Sequence, residues 1–205
     1  MFLAKFRLDI RRPSVRQCLR DCHDMHRSLM SAFPDGVSRA ENHMLYRLMT
    51  LGSETYLYLS SAAEPDAEPL AKKGFSPSGI RCVDALRDIF IPGSRWRYDI
   101  LAVPSKKVKA EGRKNSRRAA LSMPEERSAW LDGKGAQNGF RPLSLREMGE
   151  TRAFGIREKM PFSFTAVRFN GVLEVTDQDL FWSGYCRGIG PERSYGMGML
   201  LISRP

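Results

Sequence analysis

The period of the hydrophobic pattern changes within the first stretch of the chain. Residues 2–10 alternate, with Phe2, Ala4, Phe6, Leu8 and Ile10 on one face and Lys5, Arg7 and Asp9 on the other. Alternation of this kind marks a half-buried strand. Pro13 ends it. From Ser14 the apolar residues Val15, Cys18, Leu19, Cys22, Met25, Leu29, Met30 and Phe33 recur at helical spacing until Pro34-Asp35-Gly36 stops them. Ser14 with Gln17 three residues on reads as a capping box. A one-faced strand feeding directly into a one-faced helix commits the chain to a sheet layered against helices.

The same order continues. Residues 43–50 and 54–61 read as two strands joined at Gly52-Ser53, followed by a polar, proline-containing segment from Ala62 to Gly79. Residues 80–90 fit helix and strand equally. Pro92-Gly93 reads as a boundary, and 95–103 as another strand. Pro124 begins a short helical stretch through Trp130, and residues 162–175 hold a strand pair or one long strand. Thr176 with Asp179 makes a second capping box, opening a helix toward Tyr185. Met197 to Ile202 read as a last strand. The chain thus predicts an α+β fold of two tandem βαββαβ units, an N-terminal one over 1–91 and a C-terminal one over 92–205.

The net charge of +10 points to a polyanionic partner. The N-terminal MFLAKFRLDIRRP lacks the uninterrupted apolar core of a signal peptide. No apolar run reaches the ~20 residues that span a bilayer. Cys18, Cys22, Cys82 and Cys186 form no CxxC pair. A reduced, cytoplasmic protein without membrane contact is expected.

Cations gather in three places. From Lys106 to Arg118, the residues Lys106, Lys107, Lys109, Arg113, Lys114, Arg117 and Arg118 face the single acid Glu111. Such a run is either a solvated loop or a phosphate contact. Arg152, Arg157, Lys159 and Arg168 surround an expected hairpin. Gly184, Gly188, Gly190, Gly196 and Gly198 are interleaved with Arg187 and Arg193. A glycine-rich backbone can press its N–H groups against a phosphate, or it can simply make several turns. No RNP-type aromatic signature appears, so base stacking on an open sheet is not expected.

The first helix carries the candidate chemistry. At about 100° per residue, His26 lies in the apolar stripe between Cys22 and Met30, with His23 about 60° away at its edge. A histidine there is either a satisfied core residue or a group that exchanges protons near neutral pH. Cys18, Cys22, His23 and His26 also invite a metal reading. Cys18 and His26 are ~12 Å apart along one helix, so that helix cannot close a metal site by itself. No metal or other cofactor is expected.

These residues are similar to those of a known family. His26 to Pro34, HRSLMSAFP, matches the His-x-x-Leu-x-x-x-Phe-Pro of the CasE-type CRISPR repeat endoribonucleases, the subunit of type I-E Cascade that processes precursor CRISPR RNA. RWRYDILAVPSKK resembles the family's Arg-x-x-Ala-x-Pro-x-Lys segment, with Tyr98 through Lys106 occupying it. FNGVLEV and GIGPERSYGMGMLLI match Phe-x-Gly-x-Leu and Gly-Ile-Gly-Pro-x-(Arg/Lys)-Ser-x-Gly-x-Gly-Leu, with Met199 where leucine is usual. The resemblance covers nearly the whole chain.

It implies two ferredoxin-like (RRM-like) domains that bind a CRISPR repeat stem-loop beside other Cascade subunits. It also implies metal-independent cleavage at the 3′ side of the stem. The RNA's own 2′-OH attacks the adjacent phosphate, leaving a 2′,3′-cyclic phosphate and a 5′-OH. By position His26 is the catalytic histidine. His23 stands where the family often has tyrosine and is a second candidate. Arg27, the 106–118 cations, Arg157, Lys159, Gly188, Gly190, Arg193, Ser194, Gly196 and Gly198 are candidate RNA contacts. The alternative is an inactive RNA-binding or structural ribonucleoprotein subunit of the same fold.

Overall fold

The alternating N-terminal segment becomes β1 (Phe2–Leu8), with Ala4, Phe6 and Leu8 buried. A computed structural model describes residues 1–38, 41–108 and 117–205. In it β1 lies inside an antiparallel sheet of order β2-β3-β1-β4, with β2 (Leu45–Leu51), β3 (Glu54–Ser61) and β4 (Phe75–Cys82). One face of this sheet is covered by α1 (Pro13–Arg20), α2 (Cys22–Met30) and α3 (Glu68–Lys73). They bury Val15, Cys18, Met25, Leu29 and Leu70 against Phe6, Leu57, Leu59 and Phe75. Each large apolar side chain so buried contributes about 1.5–3 kcal/mol.

A short α4 (Leu86–Ile89) leads to β5 (Arg95–Ala102). A two-stranded ribbon follows, β6 (Ser105–Val108) with β7 (Arg117–Ala120), then α5 (Pro124–Gln137) and β8 (Phe140–Pro142). β9 (Arg146–Arg157) forms a long hairpin with β10 (Met160–Val175); α6 (Gln178–Arg187) and β11 (Leu200–Ser203) end the chain. The second sheet has the order β11-β5-β10-β8. Ignoring the ribbon and the β9 extension, both sheets place the first strand of a unit between its third and fourth. That is the antiparallel order of a βαββαβ ferredoxin-like unit, as the sequence predicts. Leu131, Phe140, Phe169, Phe181 and Tyr185 fill the second core.

Several local expectations change. The single helix over 14–33 is two helices, because Asp21 adopts an extended conformation (φ −126°, ψ 109°). Ser14 makes no capping box. Its hydroxyl donates to the Lys73 carbonyl at 2.7 Å, and α1 begins instead with Pro13 in its first turn. At α6 the cap is Asp177 rather than Thr176, its carboxylate accepting from the Leu180 N–H at 2.9 Å. α5 runs well past Trp130. Residues 162–175 belong to one long strand, which pairs with β9, β5 and β8 in turn.

One buried ionic group joins the sheets. Arg47 on β2 donates to Asp99 on β5 at 2.8 Å, and Arg168 on β10 donates to the other Asp99 oxygen at 2.7 Å. The Arg47 side chain is 5% exposed, and burial pulls its pKa down to about 10. Among the described residues no helix is long and apolar enough to cross a membrane.

Candidate active site

The break at Asp21 determines where the histidines face. By starting a new helix at Cys22, it lets Met25, Ser28 and Leu29 supply the buried stripe of α2. Cys22, His23 and His26 fall on the neighbouring face. His26 is therefore only partly buried, outside the continuous stripe that an unbroken helix predicts. The N–H groups of His23 and Asp24 donate to one Asp21 oxygen at 2.8 and 3.2 Å. The Ile156 N–H, from β9, donates to the other at 3.1 Å. One carboxylate thus caps α2 and fastens it to the hairpin. Gly155 makes the approach possible: a Cβ there would lie 2.6 Å from the Phe162 ring and 3.0 Å from the Cys22 sulfur.

The glycine-rich loop brings in a third ring. Arg193–Tyr195 form a single 3₁₀ turn between residues held by backbone bonds. The Ile189 N–H donates to the Gly198 carbonyl at 2.9 Å, and the Gly198 N–H to the Leu101 carbonyl at 2.7 Å. The turn delivers Tyr195 against α2. Its ring centroid lies 6.2 Å from those of both His23 and His26, which are 6.3 Å apart. Phe162, at 5.0 Å, backs the tyrosine. Burial raises the Tyr195 pKa, and the nearby Arg157 guanidinium opposes the rise. The phenol therefore keeps its proton at neutral pH.

Nearby groups are less suited to chemistry. Burial, reinforced by the Asp21 charge, pushes the Cys22 thiol up to about 12, so it carries no nucleophilic thiolate. The Nδ1 of His23 is buried without a hydrogen-bond partner among the described residues. Among the described residues no group of three or more His, Cys, Asp or Glu side chains converges as metal ligands would.

A family model described as CRISPR associated protein matches residues 1–204. The chain belongs to the CRISPR associated protein family. Its relative in Thermus thermophilus, the CRISPR-associated endoribonuclease Cse3, is 29% identical over 99% of this chain and all of that protein. CRISPR endoribonuclease Cse3 bound to 19 nt RNA superposes with a TM-score of 0.87, at 27% identity, over 99% of this chain and 100% of that one. A chain of a CRISPR RNA-guided surveillance complex in its pre-nicking state gives a TM-score of 0.75 at 25% identity, with both chains fully covered.

In this CRISPR associated protein the expected RNA contacts fall into separate groups. Lys106 and Lys107 are exposed on β6, Lys106 pairing with Glu126 at 3.1 Å. Lys109, Arg113 and Lys114 lie outside the described residues, and Arg117 is placed by its backbone in β7. Arg118 joins Lys134, Asn138, Gly188, Gly190 and Arg193 around a polar cleft of about 320 Å³. Arg193 also donates to the Arg187 carbonyl at 3.0 Å, pinning the loop to the end of α6. Ser194 lies in the 3₁₀ turn. Arg157 and Lys159 flank the tip of the β9–β10 hairpin, where Glu158 and Lys159 have φ of 52° and 65°. Arg27 turns to solvent and pairs with Asp24 at 3.3 Å.

The loop glycines serve packing as well. A Cβ on Gly188 would meet Leu45 at 2.7 Å, and one on Gly196 would meet the Tyr46 ring at 2.7 Å. Gly190 faces Trp130, and Gly198 faces the Ile189 backbone. The sequence pattern singles out neither Tyr195 nor Lys134. The sign of Tyr195 in the sequence is that it is the one aromatic residue between Gly188 and Gly198.

Proposed function

We propose that this chain is a metal-independent endoribonuclease that binds a CRISPR repeat stem-loop, cuts precursor CRISPR RNA and stays with the product as a Cascade subunit. The observation carrying this reading is the juxtaposition of His23, His26 and Tyr195, with Arg157 near the tyrosine and a basic cleft formed in part by the same glycine loop. The full-length likeness to Cse3 bound to RNA supports the same substrate class, and the likeness to a chain of a surveillance complex supports the assembly. Residues 1–91 and 92–205 are then two domains, with the catalytic helix in the first and the glycine loop in the second.

The chemistry follows from what the reaction requires. A 2′-hydroxyl is a weak nucleophile and an alkoxide a poor leaving group, so one group must accept a proton while another donates one. Cations must meet the charge that builds on phosphorus. His26 supplies proton transfer on the exposed side of α2, with His23 as its neighbour. Because the nucleophile belongs to the RNA, the products are a 2′,3′-cyclic phosphate and a 5′-hydroxyl.

Incubation of the purified protein with labelled cognate repeat RNA in EDTA tests this. Cleavage is expected, and a single 2′-deoxy sugar before the scissile phosphate should abolish it while the stem-loop still binds. Cleavage of the deoxy RNA would overturn the mechanism. A stable complex without cleavage of ordinary repeat RNA would favour an inactive binding subunit.

A further inference from the structure

We propose that Tyr195 is a catalytic residue of the cut site, the general acid that protonates the departing 5′-oxygen. The assignment rests on the endoribonuclease reading above and names a residue beyond the two histidines. Geometry carries it. Tyr195 comes from the glycine loop, whereas both imidazoles come from α2, yet its ring contacts both at the same 6.2 Å centroid separation. It meets the His26 ring at 80°, edge to face, so groups from two different elements reach one locus. Phe162 and Phe164 back the ring and fix its plane.

The phenol has the properties the role demands. Burial keeps it protonated, so it enters the reaction as a donor. The positive charge of nearby Arg157 favours the phenolate as it forms. The step balances without a further reactant. The 2′-oxygen forms a bond to phosphorus as the bond from phosphorus to the 5′-oxygen breaks. His26 takes the 2′-hydroxyl proton, and Tyr195 gives its proton to the 5′-oxygen. Solvent returns a proton to the phenolate and removes one from the imidazolium.

The test compares ordinary repeat RNA with RNA carrying sulfur in place of the scissile 5′-oxygen, in single turnover at saturating protein. A thiolate leaves without protonation. Tyr195→Phe keeps the ring and its packing and removes only the acid. It should cut ordinary RNA slower by ~10²–10⁴-fold. On the sulfur RNA it should cut within about threefold of the unaltered protein. His26→Ala should be slow on both. Equal rates for Tyr195→Phe and the unaltered protein on ordinary RNA would overturn the assignment. So would a Tyr195→Phe defect that sulfur leaves in place, which marks a structural role. Sulfur rescue of His26→Ala instead would give the acid role to His26. If the unaltered protein leaves repeat RNA whole, the endoribonuclease reading itself fails, a result distinct from any of these.

Discussion

Asp21 receives three backbone N–H groups from two distant segments: His23 and Asp24 at the start of α2, and Ile156 in β9. It is almost fully buried, so each lost bond leaves a donor without water. A helix cap is worth about 0.5–2 kcal/mol, and an unmet buried donor costs about 1–3 kcal/mol. Asp21→Ala should therefore lower stability by roughly 2–4 kcal/mol in urea unfolding, with Asp21→Asn losing less. An unchanged midpoint would show the clamp to be slack. No local pattern exposes this role. The apolar stripe runs on past Asp21 from Val15 to Phe33, and the break comes from a partner on β9, far along the chain. Tyr195 escaped the pattern for the same reason: its ring contact with α2 joins segments far apart in the chain. His26 stands out as a candidate in the sequence because its neighbours to Pro34 match a family motif.

At the scale of elements, the ribbon β6–β7 carries its positive charge away from both cores. Lys107 is exposed on one strand and Arg118 on the other, with Arg118 opening onto the cleft of the glycine loop. Lys106 is partly engaged by Glu126. Neutralising Lys107 and Arg118 together should weaken repeat binding and flatten its dependence on salt by up to about 0.9 in log–log slope per lost phosphate contact on duplex. A titration with the original slope would make the ribbon a bystander. The strands were legible where the signal was plain, as in the alternation of β1 and the Gly52-Ser53 turn that joins β2 to β3. The ribbon was not, since Lys and Arg dominate it and leave no hydrophobic period to read. Helix starts were misplaced at Ser14 and Thr176 because serine and threonine cap equally well on paper. The chain chose Pro13 for one start and Asp177 for the other.

Across the whole molecule, the repeated βαββαβ order is what the sequence conveyed best, and the contact between its two copies is what it conveyed least. Arg47 and Asp99 join the sheets inside a protein interior, where a charge stripped of its partner is costly. Asp99→Ala should destabilise by about 3–5 kcal/mol, because Arg47 stays buried and unpaired. Arg47→Met should be close to neutral, since Asp99 keeps Arg168 and the thioether fills the space. Equal losses in chemical denaturation would mean the pair does not behave as a buried ion pair. The glycine loop forms the other joint, with Gly188 against Leu45 and Gly196 against Tyr46. Any first- or second-base change in a glycine codon either adds a Cβ or ends the chain. Heritable variation in this loop is therefore channelled into the residues between its glycines, Pro191 to Ser194 among them. Under the proposed RNA-binding role of the loop, a lineage that meets an altered repeat answers it at those residues and not at the glycines.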